Sequence, residues 1–204
     1  VDHYTDAQRK TELKTLDVEA RADAPLGERG LGEIGLVSKV TVYKKIKLET
    51  HENVGAGRVH LPEMEMHTTA CWWELPADLH GRLADEGFDL GDALQGSARL
   101  LGQVAALFVM ADPADLHAVP MVRSPFTDRP TVYLYDAVPG GAGFARRIFA
   151  QLDEIGAVAR AHLETCPCEA GCPSCVGPSV VSGGGAKRGA ARLLACFAGR
   201  DARA

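Results

Sequence analysis

Four cysteines lie within ten residues near the C-terminal end of the chain, in the run CPCEAGCPSC. The spacing is C-x-C-x3-C-x2-C, through Cys166, Cys168, Cys172 and Cys175. Thiolates are soft ligands, and sets of four cysteines hold structural zinc or iron–sulfur clusters. The run has no apolar periodicity of its own, so a bound metal is the expected source of its order.

Structural zinc is the favoured occupant of this run, although zinc ribbons usually separate their cysteine pairs by a dozen or more residues. Pro167, Gly171 and Pro173 provide the tight turns that let one loop place four sulfurs around a single ion. Two alternatives stay open on the residues alone. One is an iron–sulfur cluster, and the other is a redox pair formed by the C-x-x-C unit of Cys172 and Cys175.

A second motif, DAVPGGAGF at 136–144, combines the end of a strand, a glycine turn and the start of a helix. The free amides of such a helix start can bind a phosphate. The motif lacks the P-loop lysine and the dinucleotide fingerprint, however. The favoured interpretation is a sharp glycine turn anchored by Asp136.

Basic residues near these motifs are candidate nucleic-acid contacts: Arg146 and Arg147 after the glycine turn, and Lys187, Arg188 and Arg192 on the last predicted helix. Such residues more often form a solvated face. No nucleophile, base and orienting group occur together, so the chain by itself is predicted to be non-catalytic.

The composition is typical of a globular protein: 204 residues, 46% apolar, with a net charge of −5. A nucleic-acid-binding domain usually has a basic excess, which here is confined to residues 166–204, with five basic and two acidic side chains. No apolar run approaches the roughly 20 residues that span a bilayer, and the first residues do not resemble a signal peptide. We therefore expect a cytoplasmic protein without a membrane partner.

The order of predicted strands and helices around these motifs indicates an α+β fold. We expect an antiparallel or mixed sheet, packed helices and a four-cysteine loop near the C-terminus. We expect residues 1–33 to form an exposed N-terminal segment, the stub of a longer chain, and residues 34–204 to form the zinc-binding domain. Its zinc loop is placed at 166–175. Strands are predicted at 34–50, 65–73 and 131–138, a loop at 25–35, a turn at 52–58, and helices at 74–90, 91–111, 144–164 and 186–198.

Three segments together resemble the C-terminal zinc-binding domain of MrfA-like (mitomycin repair factor A) helicases of DEAD/DEAH-box superfamily 2. They are CPCEAGCPSC, TVYLYDAVPGGAGFARRIF and LPEMEMHTTACWWELP, and the resemblance spans residues 34–176. It implies that the four cysteines bind Zn2+. It also implies an accessory, non-catalytic domain of an ATP-dependent DNA helicase involved in DNA repair. Its partners would be the helicase motor domains and, through the parent protein, DNA.

The chain departs from this family after Cys175. It continues VGPSVVSGGGAKRG, where many members have a cysteine–glycine–asparagine segment, and it has neither a Walker A lysine nor a D-E-x-[HD] motif. We therefore expect either an excised domain or a stand-alone relative, and the charged N-terminal stub favours the excised domain. The alternative is an independent iron–sulfur or thiol-redox metalloprotein.

Overall fold

The computed structural model describes residues 3–47, 53–59, 61–177 and 184–197, which form one antiparallel sheet with helices packed on it. This confirms the predicted α+β class. The strands are β1 His3–Asp23, β2 Glu28–Lys47, β3 Asn53–Arg58, β4 Met64–Glu74, β5 Leu116–Met121 and β6 Thr131–Asp136. The helices are α1 Leu79–Asp85, α2 Leu90–Val109, α3 Phe144–Thr165 and α4 Ala186–Leu194, the last followed by the 3-10 turn Ala195–Phe197.

The strand order is β1-β2-β4-β6-β5, with β3 pairing with β2 at one side of this path. Every residue of β6 is buried, in keeping with its nearly continuous apolar sequence. Its register with β4 places Ala70 opposite Tyr135. The end of β6 therefore delivers Asp136 beside Thr68 and Thr69 of β4, which is where the glycine turn begins.

Within the predicted exposed segment at 1–33, residues 3–23 and 28–33 instead belong to strands of the sheet. β1 pairs with β2 from His3 opposite Lys47 to Asp23 opposite Glu28, with three irregularities. Leu13 of β1 is buried against Leu36 of β2. The alternating charges at residues 11–23 therefore belong to a half-buried part of β1, and the proposed boundary after residue 33 falls inside β2.

Two local predictions are wrong and one strand was missed, all for one physical reason. The predicted turn at 52–58 contains β3, the predicted loop at 25–35 contains the start of β2, and β5 was missed. Glycine in the first two and Pro120 in the third are locally unfavourable to strands. Pairing with a neighbouring strand overrides these preferences, as where the ring of Tyr43 lies over Gly57.

The core has two parts, one on each face of the sheet. The helix-covered face buries residues such as Trp73, Leu101 and Ile148. The opposite face buries a smaller cluster around Trp72 and Tyr133. The strands curl around this cluster, because the hydroxyl of Thr15 on β1 lies 3.4 Å from that of Tyr133 on β6, although two strands separate them in the sheet order.

Close packing of α2 and α4 fixes the C-terminal helix beside the cysteine run. A Cβ on Gly96 of α2 would lie 2.9 Å from the carbonyl oxygen of Ala186, and one on Gly189 of α4 would lie 2.8 Å from the Cβ of Ala93. The two helix backbones approach this closely because both positions are glycine. The amide of Gly185, which precedes α4, also donates to Asp92 of α2 at 3.2 Å.

Candidate metal centre

The cysteine run begins where α3 ends. Cys166 is the C-terminal capping residue of this helix, with an extended backbone, and its amide donates to the carbonyl of His162 at 3.1 Å. The hydroxyl of Thr165 also donates to the Ala161 carbonyl at 3.0 Å. The first cysteine is thus held by a helix that is itself packed in the core.

The four Sγ atoms of the run form one compact group, all within 4.8 Å of one another. The separations are 3.5 Å for Cys166–Cys168 and Cys168–Cys175, and 3.6 Å for Cys166–Cys172 and Cys172–Cys175. A zinc ion with four Zn–S bonds of about 2.3 Å needs sulfurs about 3.8 Å apart. These four separations fit this tetrahedron with only a small expansion, and the remaining two are no longer than 4.8 Å. They exceed the roughly 2.05 Å of a disulfide, and all six cysteines are free.

Two tight turns bring the sulfurs together. The amides of Cys175 and Gly177 both donate to the carbonyl of Cys172 at 3.0 Å, and the Cys172 amide donates to the sulfur of Cys175 at 3.3 Å. Gly171 has a φ of +120°, and a Cβ there would lie 2.4 Å from the Gly177 carbonyl oxygen. Glycine is therefore required at this position for both conformation and space.

Three side chains from outside the run hold its backbone. The ring Nε2 of His162 on α3 lies 2.7 Å from the Ser174 carbonyl, and the amide of Gln103 on α2 donates to Pro173 at 3.2 Å. Lys187 on α4 donates to the carbonyl of Cys166 at 2.8 Å and also to the carbonyl of Cys168. The sequence reasoning did not anticipate any of these three supports. For Lys187 a signal existed, because a lysine in the first turn of a helix opposes the helix dipole.

Comparison with known proteins places this geometry in a family context. The family model described as the MrfA Zn-binding domain matches residues 97–176. The crystal structure of the DUF1998 helicase MrfA bound to DNA superposes with a TM-score of 0.71 and 34% sequence identity, covering 97% of this chain and 26% of that one. A second crystal structure, of the same helicase bound to DNA and AMPPNP, gives a TM-score of 0.58 and 33% identity, covering 96% and 23%.

Two named helicases are similar in sequence. The uncharacterized ATP-dependent helicase YprA of Bacillus subtilis is 35% identical over 185 residues, which cover 88% of this chain and 24% of that protein. The ATP-dependent helicase HRQ1 of Saccharomyces cerevisiae is 24% identical over 176 residues, covering 80% and 16%. The chain thus spans about a quarter or less of the helicases it matches.

The chain contains an MrfA-like zinc-binding domain. The matched segment includes all four clustered cysteines, and their sulfur separations suit a single tetrahedral ion. Zn2+ is therefore the cofactor of the MrfA-like domain. In an iron–sulfur cluster, the cysteine thiolates bind iron atoms of a larger cluster and do not share one ion. The close spacing of these four sulfurs therefore does not favour the iron–sulfur alternative.

The pKa values of the clustered thiols diverge. Burial raises the pKa of Cys175 to about 11. Burial also raises that of Cys168, but hydrogen bonds from Cys166, Cys175 and Lys187 outweigh it and lower the pKa to about 6. Adjacent thiolates repel one another, so the low pKa of Cys168 is accompanied by raised pKa values at Cys166 and Cys175. A dication removes this conflict, which is why such a set suits Zn2+.

The amides of the glycine turn bind a carboxylate of the same chain, that of Asp136. The carboxylate of fully buried Asp136 accepts hydrogen bonds from four successive amides, those of residues 142–145, at 2.6, 2.8, 3.2 and 2.9 Å. Thr69 donates to the same carboxylate at 3.3 Å. The amides that could have bound a phosphate are thus occupied. The interpretation of Asp136 as an anchor is confirmed, and the phosphate alternative is wrong.

The five predicted nucleic-acid contacts all make contacts within the domain. Arg146 pairs with Glu19 at 2.7 Å, and Arg147 donates to the Val109 carbonyl at 2.9 Å. Lys187 binds the cysteine loop. The guanidinium of Arg188 lies 5.4 Å from the ring centre of Phe88, and Arg192 forms a two-point pair with Glu86 at 2.5 and 2.7 Å. Contact with nucleic acid stays a prediction.

Two further cysteines lie outside the metal group. Burial raises the pKa of Cys71 to about 12 despite the opposing charge of Arg29, and burial raises that of Cys196 to about 12. Both therefore behave as small apolar residues.

Among the described residues, no helix has both the length and the apolar character needed to cross a membrane.

Proposed function

We propose that this chain is the accessory zinc-binding domain of an ATP-dependent DNA helicase involved in DNA repair. The observation that carries the proposal is the compact group of four sulfurs inside the segment that matches the MrfA Zn-binding domain. In this role the domain supports the helicase motor and its handling of DNA, and it performs no catalysis of its own.

The ligands in this proposal are the sulfurs of Cys166, Cys168, Cys172 and Cys175. Their separations support a shared ion, and the hydrogen bonds from His162, Gln103 and Lys187 fix the backbone that carries them. Once bound, Zn2+ supplies structural cross-linking between the end of α3 and the loop that follows it. All four coordination positions would be filled by protein, which leaves no open site for catalysis.

The proposed partners are the helicase motor domains of the parent protein and, through that protein, DNA. Similarity to YprA and HRQ1, both named as ATP-dependent helicases, and to MrfA structures that contain DNA supports this assignment. The chain corresponds to about a quarter of YprA, which leaves room for motor domains elsewhere in such a protein. We also propose a cytoplasmic location, where thiols stay reduced and free for metal.

Direct DNA contact by the domain is proposed to be weak and to involve Arg146 and Arg188, which are exposed. Surface ion pairs such as Arg146–Glu19 are worth about 0–1 kcal/mol, so the arginine can exchange its partner for a phosphate. Arg147, Lys187 and Arg192 are held by backbone carbonyls or by a two-point ion pair. In this proposal, these three residues mainly stabilise the domain.

Metal analysis of the purified chain tests the proposal. One zinc per chain, without visible absorption, is the expected result, whereas bound iron with a broad visible band would support the iron–sulfur alternative. The chain alone should hydrolyse no ATP with or without DNA. In the parent helicase, Cys172→Ser should reduce DNA unwinding. The matched control is Cys196→Ser, the same chemical change outside the sulfur group, which should leave unwinding intact.

Binding of the isolated chain to a fluorescent oligonucleotide tests the DNA contact. We expect weak binding that disappears at higher salt and that falls further in Arg146→Gln with Arg188→Gln. Tight binding that survives these substitutions would place the DNA surface elsewhere on the domain.

A further inference from the structure

Lys187 makes an unusual pair of contacts. Its ammonium group donates to the carbonyl of Cys166 at 2.8 Å and to that of Cys168 as well. These carbonyls flank the first two sulfurs of the metal group. An ammonium has three donors and no acceptor, which suits it to bridge two backbone carbonyls that point to one place.

The position of Lys187 in its helix is otherwise unfavourable. It is the second residue of α4, in the first turn, where the helix dipole is positive and a cation is disfavoured. The residue is half-buried rather than extended into water. A nearby negative group offsets both effects, and four thiolates around one dication carry a net charge of −2.

Lys187 also bridges two parts of the chain. The described structure of the loop ends at residue 177, and that of the helical region resumes at 184. Within these ranges, Lys187 reaches back across 21 residues to Cys166 and across 19 to Cys168. The helix that carries it is fixed on α2 by the contacts of Gly189 with Ala93. The metal loop is thereby tied to the core from a third direction, in addition to α2 and α3.

We propose that Lys187 is a positioning residue of the zinc site, which makes α4 part of the metal centre. It holds the carbonyls of Cys166 and Cys168 in the conformation that directs their sulfurs inward, and it offsets the excess negative charge of the four thiolates. This proposal rests on the proposed zinc-binding role of the domain. It assigns Lys187 to the metal rather than to nucleic acid.

Zinc release from the loaded chain tests this assignment. The chain is mixed with excess chelator dye, and the rate of zinc transfer is followed by absorbance. Lys187→Met keeps the length of the side chain but removes the charge and the donors. We expect release about 10- to 100-fold faster than wild type, the range typical when a group that supports a metal ligand is lost. Lys187→Arg retains both functions and should remain close to wild type.

Two controls separate this role from general loosening of the helix. Arg188→Met removes the neighbouring charge, which lies over Phe88 and does not contact the loop. Leu193→Ala removes a buried contact of α4 without touching the carbonyls. Both should release zinc more slowly than Lys187→Met, even where Leu193→Ala lowers the melting temperature more.

The outcomes are distinguishable. Wild-type release rates in Lys187→Met would overturn the role of Lys187 while leaving zinc binding intact. Equal acceleration by Leu193→Ala and Lys187→Met would also overturn it, because helix stability would then explain the effect. A wild-type chain without zinc after loading would refute the zinc-binding role itself, and with it this assignment.

Discussion

Polar groups of one kind converge at each end of α3, and their charge is balanced in opposite ways. At its start, four amides converge on the buried carboxylate of Asp136, so the chain supplies the charge that this turn needs. At its end, four sulfurs converge, and the ammonium of Lys187 binds the carbonyls of Cys166 and Cys168 beside them. The first end is complete with protein atoms, whereas the second requires a metal ion.

Polar groups converge at both ends of α3, but the consequences for ligand binding are opposite. Donors that meet an acceptor from the same chain form a structural anchor, and a helix N-terminus that is occupied in this way no longer binds a phosphate. Acceptors that meet only one another repel, and they predict a bound cation. The relevant observation is therefore whether the complementary charge is already present.

Removal of the metal should produce the largest effect and should separate the two ends. Chelation of zinc, or Cys172→Ser, is expected to destabilise the domain by several kcal/mol, since structural zinc contributes about 10–16 kcal/mol to the folding of small zinc domains. Hydrogen exchange should rise in residues 166–177 and in α4 but remain slow in 142–145. Thermal unfolding with and without chelator, together with exchange measured by mass spectrometry, checks this expectation.

Cys196→Ser is the control for that substitution. It changes the same atom in a half-buried residue outside the sulfur group and should keep full zinc content. Equal zinc loss in the two variants would contradict the assigned ligands.

Asp136→Ala should have the next largest effect, at the other end of α3. It leaves four amides of residues 142–145 without their acceptor at a part-buried site, where only Ala145 is itself buried. Each unsatisfied buried donor costs about 1–3 kcal/mol, and water can replace part of this, so we expect a loss of about 3 kcal/mol or more. Urea unfolding of the zinc-loaded protein measures it. Zinc content per folded chain should not change, and loss of zinc would show that the two ends are coupled.

Gly141→Ala sharpens the comparison with a smaller effect. The residue has a φ of +81°, and its added Cβ would lie 2.2 Å from the hydroxyl oxygen of Thr69. Left-handed strain and displacement of Thr69 should together cost about 1–3 kcal/mol. Gly140→Ala is the matched control, since it also has a positive φ but no atom within 4 Å of the added carbon. A loss equal in both variants would mean that strain alone, and not contact with Thr69, limits the turn.

Much of this molecule could be predicted locally. The helices at 91–111 and 144–164 agree with α2 and α3 to within about a turn, because their apolar residues recur at helical spacing. β4 and β6 agree with the predicted strands for the same kind of reason. The anchoring role of Asp136 followed from its position before a glycine turn.

Other features could not be predicted from local pattern. β1 has a charged, alternating sequence that is typical of a surface segment, and only pairing with β2 shows that it belongs to the sheet. The glycines of β3 and Pro120 of β5 pointed away from strands, but backbone pairing outweighed them. Lys187 could not be connected to the cysteines, because the contact depends on how α4 packs on α2.

The sequence by itself determined that this protein has four soft metal ligands in one short run. Four thiols within ten residues are close together in any compact conformation, and their softness selects the class of ion. The tertiary structure decided what surrounds them. It fixed sulfur separations that suit one tetrahedral ion, and it brought the ammonium of Lys187 to the loop across about twenty residues. Short-range spacing is a property of the chain, whereas distant charges and carbonyls meet only after the helices have packed.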